Sequence, residues 1–323
     1  MGEDCPPIRG LVFKMKINIL MSTYNGERFI AEQIRSIQEQ TVTDWTLLVR
    51  DDGSSDQTPE IIQAFVQEDS RIRFINARER KNYGVIKNFY TLLKYEEADL
   101  YFFSDQDDIW LPEKIAMTLA EAEHYSAEEP LLIYTDLKVV NQDLKVSSES
   151  MIRSQSHHAN TQLVQELTEN TVTGGTMMIN HSLAQLWQGD EEILMHDWYL
   201  ALLAAAFGKL VYIDKAGELY RQHDSNVLGA RTLSKRMQNW IRPQLLFSKY
   251  WSLIKGTQLQ ARYLLSHPLS PENREMVRAF VDIMEKGFLE RARVLRRYGF
   301  RKNKAFHTFV FTVLILTKFA YKE

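Results

Sequence analysis

The sequence is poor in cysteine, proline and glycine. Among its 323 residues are one cysteine, 8 prolines and 14 glycines. The single cysteine, Cys5, excludes an internal disulfide and a zinc site built on cysteines, and it favours a reducing compartment. The low proline and glycine content excludes collagen-like chains, and 45% hydrophobic with 25% charged residues is typical of a folded globular protein.

A long apolar run is also missing. No stretch reaches the roughly 18 consecutive apolar residues of a membrane-spanning helix, and the first residues lack the charged and then apolar order of a signal sequence. These absences predict a cytoplasmic protein. Residues 1–14 contain paired prolines and no periodicity, so we interpret them as an N-terminal extension or tag.

Two phosphate-binding motifs are absent as well. No G-x-G-x-x-G follows the first apolar run, and no G-x-x-x-x-G-K-[ST] occurs anywhere in the chain. These absences exclude dinucleotide-dependent oxidoreductases and P-loop enzymes.

Charge is unevenly distributed along the chain. Residues 1–230 hold 20 Lys and Arg against 36 Asp and Glu, a net of −16, and residues 231–323 hold 19 against 6, a net of +13. We therefore divide the chain near residue 230 into an acidic body (15–230) and a basic tail (231–323). An acidic body argues against a nucleic-acid groove.

The body opens with four repeats of an apolar run, a polar loop and a helical pattern. The apolar runs are residues 17–21, 45–49, 72–75 and 100–103. This order predicts an α/β fold with a mostly parallel central sheet and helices on both faces.

Beyond residue 130 the pattern becomes α+β. Strands are predicted at 131–134, 138–140 and 174–179, and an apolar helix is predicted to end at Phe207. From Thr232 onward only helical patterns occur, separated by prolines and by Gly299.

A polar loop follows each of the four apolar runs. The loops are residues 22–26, 51–56, 82–88 and 104–108. Because ligands bind at the carboxyl ends of parallel strands, we expect the four loops to share one binding rim. Turn formation and helix capping use the same residue types and explain any single loop equally well.

The last of these loops is the most acidic. Asp105, Asp107 and Asp108 repel one another unless a cation gathers them. Mg²⁺ or Mn²⁺, which bind oxygen ligands and substrate phosphates, would do so; a solvated cap of the next helix is the alternative. Asp52 offers an acceptor for a pyrimidine N–H, and Tyr24 offers a ring for the base.

Four motifs resemble those of family 2 inverting glycosyltransferases of the GT-A fold. They are Met21-Ser22-Thr23-Tyr24-Asn25, Asp51-Asp52-Gly53-Ser54-Ser55-Asp56, Ser104-Asp105-Gln106-Asp107-Asp108 and His196-Asp197-Trp198. The resemblance covers about residues 15–228. It implies that Asp52 reads the nucleobase, that Asp105 to Asp107 meet ribose and metal, and that Asp197 is the catalytic base.

Two segments narrow the resemblance. Asp105 to Trp110 and Tyr220 to Asn226 look most like bacterial rhamnosyltransferases that build cell-wall or capsular polysaccharide. The GT-A domain would then span residues 15–230, and the helical patterns that follow it predict a helical C-terminal extension over residues 231–323.

The candidate site residues fall into four groups. Asp197 is the catalytic candidate. The nucleotide-sugar candidates are Ser22, Tyr24, Asp52, Lys87, Asp105 and Arg221, with Lys87 and Arg221 as phosphate contacts. The metal candidates are Asp107 and His223, and the acceptor or sugar pocket candidates are Trp110, Gly175, His196 and Trp198. Ordinary surface charge, a plain turn at Gly175 and helix capping by Asp197 are the competing explanations.

The tail carries a basic and an apolar pattern side by side. On one helix, Arg297, Arg301, Lys304 and Thr308 would share one face, and Phe306, Phe309, Val313 and Leu316 another. Such a basic amphipathic helix is typical of contact with an anionic membrane surface. Packing on the body or on a second subunit in a homo-oligomer is the alternative, and nucleic acid is the least favoured partner.

Together the patterns and the family resemblance imply a metal-dependent inverting glycosyltransferase using Mn²⁺ or Mg²⁺. The predicted reaction moves a sugar, L-rhamnose from dTDP-rhamnose, to a lipid-linked saccharide at the inner face of the cell membrane. A non-catalytic sugar-nucleotide binding or assembly protein is the alternative. A nucleotidyltransferase is disfavoured because residues 22–26 are neither glycine-rich nor basic.

Overall fold

The computed structural model describes residues 15–78, 81–189, 192–223 and 243–321. The predicted extension at 1–14, the predicted boundary near residue 230 and the motif residues Asp224, Ser225 and Asn226 lie outside these ranges.

Strands and helices alternate through the first part of the body, as predicted. The elements are β1 (Ile17–Thr23), α1 (Ile30–Gln38), β2 (Thr46–Asp51), α2 (Thr58–Glu68), β3 (Ile72–Phe74), α3 (Val85–Tyr95) and β4 (Leu100–Ser104). Pro59 occupies the first turn of α2, where its missing N–H costs no hydrogen bond.

The second part of the body mixes short and long elements. They are β5 (Ile109–Trp110), α4 (Lys114–Ala122), β6 (Leu131–Val140), β7 (Val146–Ser148), α5 (Leu163–Glu166), β8 (Met177–Asn180), α6 (His181–Leu186), α7 (His196–Phe207) and β9 (Lys209–Arg221). The described part of the tail holds α8 (Pro243–Leu264), α9 (Pro271–Val281), α10 (Phe288–Tyr298) and α11 (Ala305–Thr317).

The described strands form one nine-stranded sheet. Its order is β3-β2-β1-β4-β8-β6-β9-β5, with β7 paired to β6. The pairs β1·β2, β1·β4, β2·β3 and β6·β9 are parallel, whereas β8 runs antiparallel to both of its neighbours. The predicted α/β class is therefore confirmed, but the sheet is mixed rather than mostly parallel, with four parallel and four antiparallel strand pairs among the described residues.

The two faces of the sheet bury separate apolar clusters. On β1, Ile19 and Met21 pack with α1, α2 and α4, whereas Leu20 packs on the opposite face with α3, α7 and the tail helices. Successive strand residues point to opposite faces, so a continuous apolar run is what a sheet covered on both sides requires.

Three details differ from the predictions. Residues 131–140 form one strand rather than two, and residues 174–176 form a 3₁₀ turn before β8. Strand β9 was not predicted, because Asp214, Lys215 and Gly217 interrupt its apolar alternation. Parallel pairing with β6, across a register shift near Asp136, supplies the hydrogen bonds that local sequence does not suggest.

The predicted single basic amphipathic helix in the tail is wrong. Gly299 adopts φ 69°, a left-handed conformation suited to glycine, and ends α10; Lys304 then precedes a new helix, α11. Arg297 and Lys304 therefore lie on different elements. Helix α11 does present apolar side chains to solvent, as predicted for this face: Phe306 and Phe309 are 68% and 66% exposed.

The described tail packs on the body. Trp251 and Ile254 of α8 share a buried cluster with α7, and the Asn273 side chain donates to the carbonyl of Ala206 at 3.0 Å. No helix in the described ranges is both long and apolar enough to cross a membrane.

Candidate active site

The loops after β1, β2 and β4 meet at one edge of the sheet. The Gln106 side chain accepts from the backbone N–H of Tyr24 and donates to its carbonyl, both at 2.9 Å. The backbone N–H of Asn25 donates to Ser54 Oγ at 2.8 Å. The structure thus brings together the first, second and fourth of the predicted polar loops.

Gly26 leaves space for the Gln106 side chain at this junction. A Cβ at Gly26 would overlap the side-chain amide of Gln106. Gln106 was not a candidate in the sequence analysis; its position between two acidic residues was the signal, but its contact with the first loop is purely tertiary.

Asp52 is buried and joins the second loop to the third. Its two carboxylate oxygens accept from the backbone N–H groups of Tyr83 and Gly84 at 2.7 and 2.8 Å, and Arg50 Nη1 donates at 3.1 Å. A carboxylate has about four acceptor sites, so these bonds leave room for one more donor. The predicted contact of Asp52 with a nucleobase remains a prediction.

The carboxylate of Asp51, the residue before Asp52, also accepts several hydrogen bonds. It accepts from the backbone N–H groups of Ser54 and Gly53 at 2.8 and 3.1 Å and from Thr23 Oγ1 at 3.1 Å. These bonds explain why an Asp-Asp-Gly-Ser sequence follows β2: the first carboxylate closes the turn and the second holds the neighbouring loop.

Arg50 is a buried cation that the sequence analysis missed. Its guanidinium hydrogen-bonds Asp52 and the Asn88 side chain, and it lies 4.3 Å from the centre of the Tyr83 ring. Asn88 Nδ2 in turn donates to Ser22 Oγ at 2.5 Å. This hydrogen bond holds Ser22 at the same edge of the sheet as Arg50 and Asp52.

Several side chains of the rim face solvent. Tyr24 is 51% exposed and Tyr83 is 39% exposed. Lys87 is exposed, with its ammonium 5.2 Å from the centre of the Tyr83 ring. Two aromatic rings and a cation on this edge suit a nucleobase and a diphosphate.

The structure brings the predicted metal candidates together. His223 Nε2 lies 2.7 Å from Asp107 Oδ2, with both side chains largely buried. Two ligands on one octahedral Mg²⁺ or Mn²⁺ ion lie about 3 Å apart, so the pair fits one edge of such a site. The described residues contain no group of three His, Cys, Asp or Glu that could hold a metal, so other ligands would come from substrate and water.

The predicted phosphate contact of Arg221 is wrong. Its guanidinium is 2% exposed and donates to the carbonyls of Asp107 and Gln142 at 3.0 Å and to Glu32. Its backbone N–H donates to Asp108 at 3.0 Å. Arg221 instead holds the acidic loop and the end of β9 together, beneath the metal candidates.

A buried ion pair lies under the acidic loop. Lys114 Nζ is 2.6 Å from Glu218 Oε2, both side chains are fully buried, and the ammonium also donates to the carbonyl of Gly175. A Cβ at Gly175 would come within 2.9 Å of Glu218 Oε1, so only glycine fits comfortably there. Neither Lys114 nor Glu218 was predicted, because no motif or pattern in the neighbouring sequence distinguishes them.

Negative charge accumulates in this part of the site. Burial raises the pKa of Asp105, and the charges of Asp107, Glu218 and Asp197 raise it further, while Lys114 opposes them. Burial and the charge of Glu218 raise the pKa of Asp108 as well. The same burial lowers the pKa of Lys114. A bound cation would relieve this repulsion.

Asp197 lies in the first turn of α7 and is 7% exposed. Burial raises the pKa of Asp197 to about 7, although hydrogen bonds from the backbone of Trp198, the Asn170 side chain and the backbone of Gly174 lower it. A carboxylate with this pKa is suited to accept a proton near neutral pH. The charge of Asp197 in turn raises the pKa of Asp105, which links this carboxylate to the acidic loop after β4.

The predicted acceptor pocket is wrong for its side chains. Trp110, His196 and Trp198 are 2%, 3% and 8% exposed. The ammonium of Lys114 covers Trp110 at 3.9 Å from its ring centre, and Trp198 Nε1 donates to the carbonyl of Glu166 at 2.7 Å. These tryptophans support the site from below.

His196 and Gly175 are also structural. The His196 ring stacks 4.3 Å from the ring of Phe89, and burial lowers the pKa of His196 to about 3, so the imidazole is neutral. The backbone of Gly175 contacts Lys114, as described above. Neither residue presents a side chain to an acceptor.

Comparison with known proteins agrees with this arrangement. The family described as Glycosyl transferase family 2 matches residues 18–187. The dTDP-rhamnosyl transferase RfbG of Shigella flexneri is 33% identical over 220 residues, which cover 65% of this chain and 74% of that protein.

A second relative matches over a shorter part of the chain. The UDP-Glc:alpha-D-GlcNAc-diphosphoundecaprenol beta-1,3-glucosyltransferase WfgD of Escherichia coli is 38% identical over 104 residues, 32% of this chain and 40% of that protein.

Solved structures share the fold at low identity. TarS residues 1–349 of S. aureus, in complex with UDP-GlcNAc, superposes with a TM-score of 0.57 at 16% identity, covering 88% of this chain and 80% of that one. The mannosyltransferase PcManGT of Pyrobaculum calidifontis, with GDP-Man and Mn²⁺, gives 0.54 at 13% identity, covering 89% and 76%.

Proposed function

This chain belongs to glycosyl transferase family 2 and is a glycosyltransferase of the GT-A fold, and we propose that it is a metal-dependent inverting enzyme with Asp197 as its base. The observation that carries the proposal is the placement of Asp197. It is a nearly buried carboxylate with a pKa raised to about 7, and it lies beside the acidic loop that follows β4.

The proposed reaction is a single displacement. Asp197 takes the proton from an acceptor hydroxyl as that oxygen forms a bond to the anomeric carbon of the donor sugar. The bond from this carbon to the nucleotide diphosphate breaks on the opposite face, so the configuration inverts. A divalent metal, Mn²⁺ or Mg²⁺, held by Asp107 and His223 would neutralise charge on the leaving diphosphate.

The donor we propose is dTDP-rhamnose. The support is the 33% identity to a dTDP-rhamnosyl transferase across most of both chains. On the rim, the exposed Tyr24 ring is available to the base, Ser22 and Asp52 to the nucleoside, Asp105 to the ribose, and the Lys87 ammonium to the diphosphate.

The proposed acceptor is a lipid-linked saccharide in cell-surface polysaccharide synthesis. A relative in Campylobacter jejuni, 29% identical over 108 residues, is named for an undecaprenol-linked substrate, as is WfgD. For such an acceptor we propose that the enzyme works at the inner face of the cell membrane, as a peripheral protein.

The tail offers a surface for that contact. Residues 288–321 contain 8 Lys and Arg against one Glu, and all of these cations except Arg291 and Lys302 are at least partly exposed. Phe306 and Phe309 project from α11 with two thirds of their surface exposed. Aromatic rings beside cations suit the interface of an anionic bilayer.

A donor panel tests the catalytic proposal. The purified chain is mixed with Mn²⁺ and, separately, dTDP-rhamnose, UDP-glucose, UDP-N-acetylglucosamine and GDP-mannose, and binding and released nucleotide diphosphate are measured. We expect dTDP-rhamnose to bind and to hydrolyse slowly, and we expect EDTA to abolish the release.

Two variants make this test specific. Asp197→Asn should lower release about 10³-fold while donor affinity stays within about twofold, because only the proton acceptor is lost. Asp143→Asn, at an exposed turn, is the matched control and should behave as the wild type. Full release by Asp197→Asn would remove Asp197 from the reaction, and binding of another donor alone would overturn the assignment of rhamnose.

Vesicle flotation tests the membrane proposal. The double variant Phe306→Ser/Phe309→Ser should lose binding to phosphatidylglycerol vesicles, and the wild type should not bind vesicles of phosphatidylcholine alone. Tyr95→Ser, which removes a 53% exposed ring from the body, is the control. Equal flotation of both variants would mean that α11 is not the contact surface.

A further inference from the structure

Helix α7, which carries Asp197, contacts a short segment of the body, residues 166–172, which we call the support segment. Trp198, next to Asp197, donates its indole N–H to the carbonyl of Glu166 at 2.7 Å. The Asn170 side chain is held in place by Val172 through two hydrogen bonds of 2.8 and 2.9 Å, and it also contacts the Asp197 carboxylate. Displacement of this segment would therefore displace the base.

The tail holds the opposite side of the support segment. The loop between α10 and α11, residues 299–304 and here called the tail loop, approaches it directly. Lys302 Nζ donates to the carbonyl of Thr168, Thr168 Oγ1 donates to the carbonyl of Arg301 at 2.6 Å, and the backbone N–H of Asn303 donates to Glu169 at 2.6 Å.

Lys302 is an unusual residue for a surface loop. Its side chain is 7% exposed, and its ammonium lies 5.7 Å from the centre of the Phe311 ring. Burial lowers the pKa of Lys302 to about 8, which the charge of Glu169 opposes. Burying an ammonium is costly, so this loop is docked on the body by a specific polar contact.

We propose that Lys302 of the tail loop is a positioning residue for Asp197, acting through Thr168 and Asn170 of the support segment. This inference rests on the proposed role of Asp197 as the base. It makes the tail part of the catalytic unit as well as a surface for membrane contact. The loop lies directly before α11, so one short element joins the exposed phenylalanines to the support of the base.

The test compares Lys302→Met with the wild type in the full chain. The readouts are kcat and KM for hydrolysis of the donor that the panel identifies, and hydrogen exchange of residues 168–174. We expect kcat to fall about tenfold with an unchanged donor KM, because a shifted base is poorly aligned while the nucleotide rim is untouched. Exchange at 168–174 should rise, and exchange at 83–88 should not.

Two further variants give the comparison its controls. Lys94→Met removes another lysine that donates to a backbone carbonyl, that of Ala184 at 2.8 Å, far along α3 from the rim; its kcat should equal that of the wild type. Lys302→Arg, which keeps a charged donor, should recover most of the loss. If Lys302→Met does not fold, Thr168→Val removes the bond to the Arg301 carbonyl of the tail loop, together with a local bond to the Gln165 carbonyl, and should lower kcat about threefold.

The outcomes separate the inference from the proposed function. Raised exchange with an unchanged kcat would make the tail loop merely structural and would overturn the inference. An unchanged kcat in both Lys302→Met and Thr168→Val would overturn it as well. Absence of nucleotide release by the wild type with every donor would instead contradict the proposed function.

Discussion

The carboxylates on the two sides of the site differ in the donors and charges that surround them. On the nucleotide side, Asp51 and Asp52 are surrounded by backbone N–H donors and, for Asp52, by Arg50. On the catalytic side, Asp105, Asp108 and Glu218 crowd around one buried cation, Lys114. The carboxylates on the proposed nucleotide side already have donors from the protein, whereas those on the proposed catalytic side carry excess negative charge.

This difference indicates how the two sides work. On the proposed nucleotide side the loops are already fixed by their own hydrogen bonds, so we expect the donor to bind there with little rearrangement. An acidic cluster with too few donors favours a divalent cation and a proton, which are the two species that the proposed reaction brings to it. A substitution on each side of the site tests this difference.

The largest effect should come from Lys114→Met. The substitution leaves Glu218 buried without its cation and removes the opposing charge from Asp105 and Asp108. We expect the free energy of unfolding to fall by about 3–5 kcal/mol, measured by urea denaturation. Lys215→Met, which breaks an exposed lysine–glutamate pair with Glu113, is the matched control and should change stability little. Equal losses in the two variants would contradict the special role of the buried pair.

A smaller effect should follow from Asp52→Asn on the nucleotide side. One backbone N–H of the Tyr83–Gly84 turn would then face an amide N–H, and Arg50 would lose its ion pair. We expect a loss of about 2 kcal/mol in the free energy of unfolding and weaker donor binding. The exposed Asp143→Asn serves again as the control. A fully stable Asp52→Asn would show that the rim is not held in this way.

The smallest effect should be the pH dependence of turnover. Because the pKa of Asp197 is raised to about 7, the base is protonated below that value and free above it. Turnover should therefore fall about tenfold for each pH unit below 7 and level off above it. The rate of nucleotide release between pH 5 and 8 measures this, with the pH dependence of donor binding as the reference. A rate that is flat down to pH 5 would exclude the raised pKa.

Much of the fold could be predicted because its signals are local. The strand–loop–helix order of the first part of the body and the helix boundary at Pro271 both lie where expected. Strand β9 could not be predicted, since only its pairing with β6 makes a strand of a segment interrupted by charged residues and glycine. The continuous amphipathic helix of the tail failed for a local reason, because the conformation of Gly299 outweighed the spacing of the charges.

The candidate site was predicted in its residue types and less well in their roles. Asp107 and His223 were assigned to one metal and lie in contact. Arg221, assigned to a phosphate, is buried among carbonyls, and Lys114 and Glu218, never considered, form the buried pair beneath the site. A sequence shows that a cation is present, but burial decides whether it meets a ligand or another part of the chain.

The sequence by itself determined the α/β class, the family and the four polar loops, because periodicity and short motifs are properties of neighbouring residues. Only the tertiary structure decided which charges face the ligand and which face inward. It also placed the tail loop, residues 299–304, against the support of Asp197, across more than 130 positions of sequence. Such contacts depend on the packing of distant elements, and a local pattern carries no record of them.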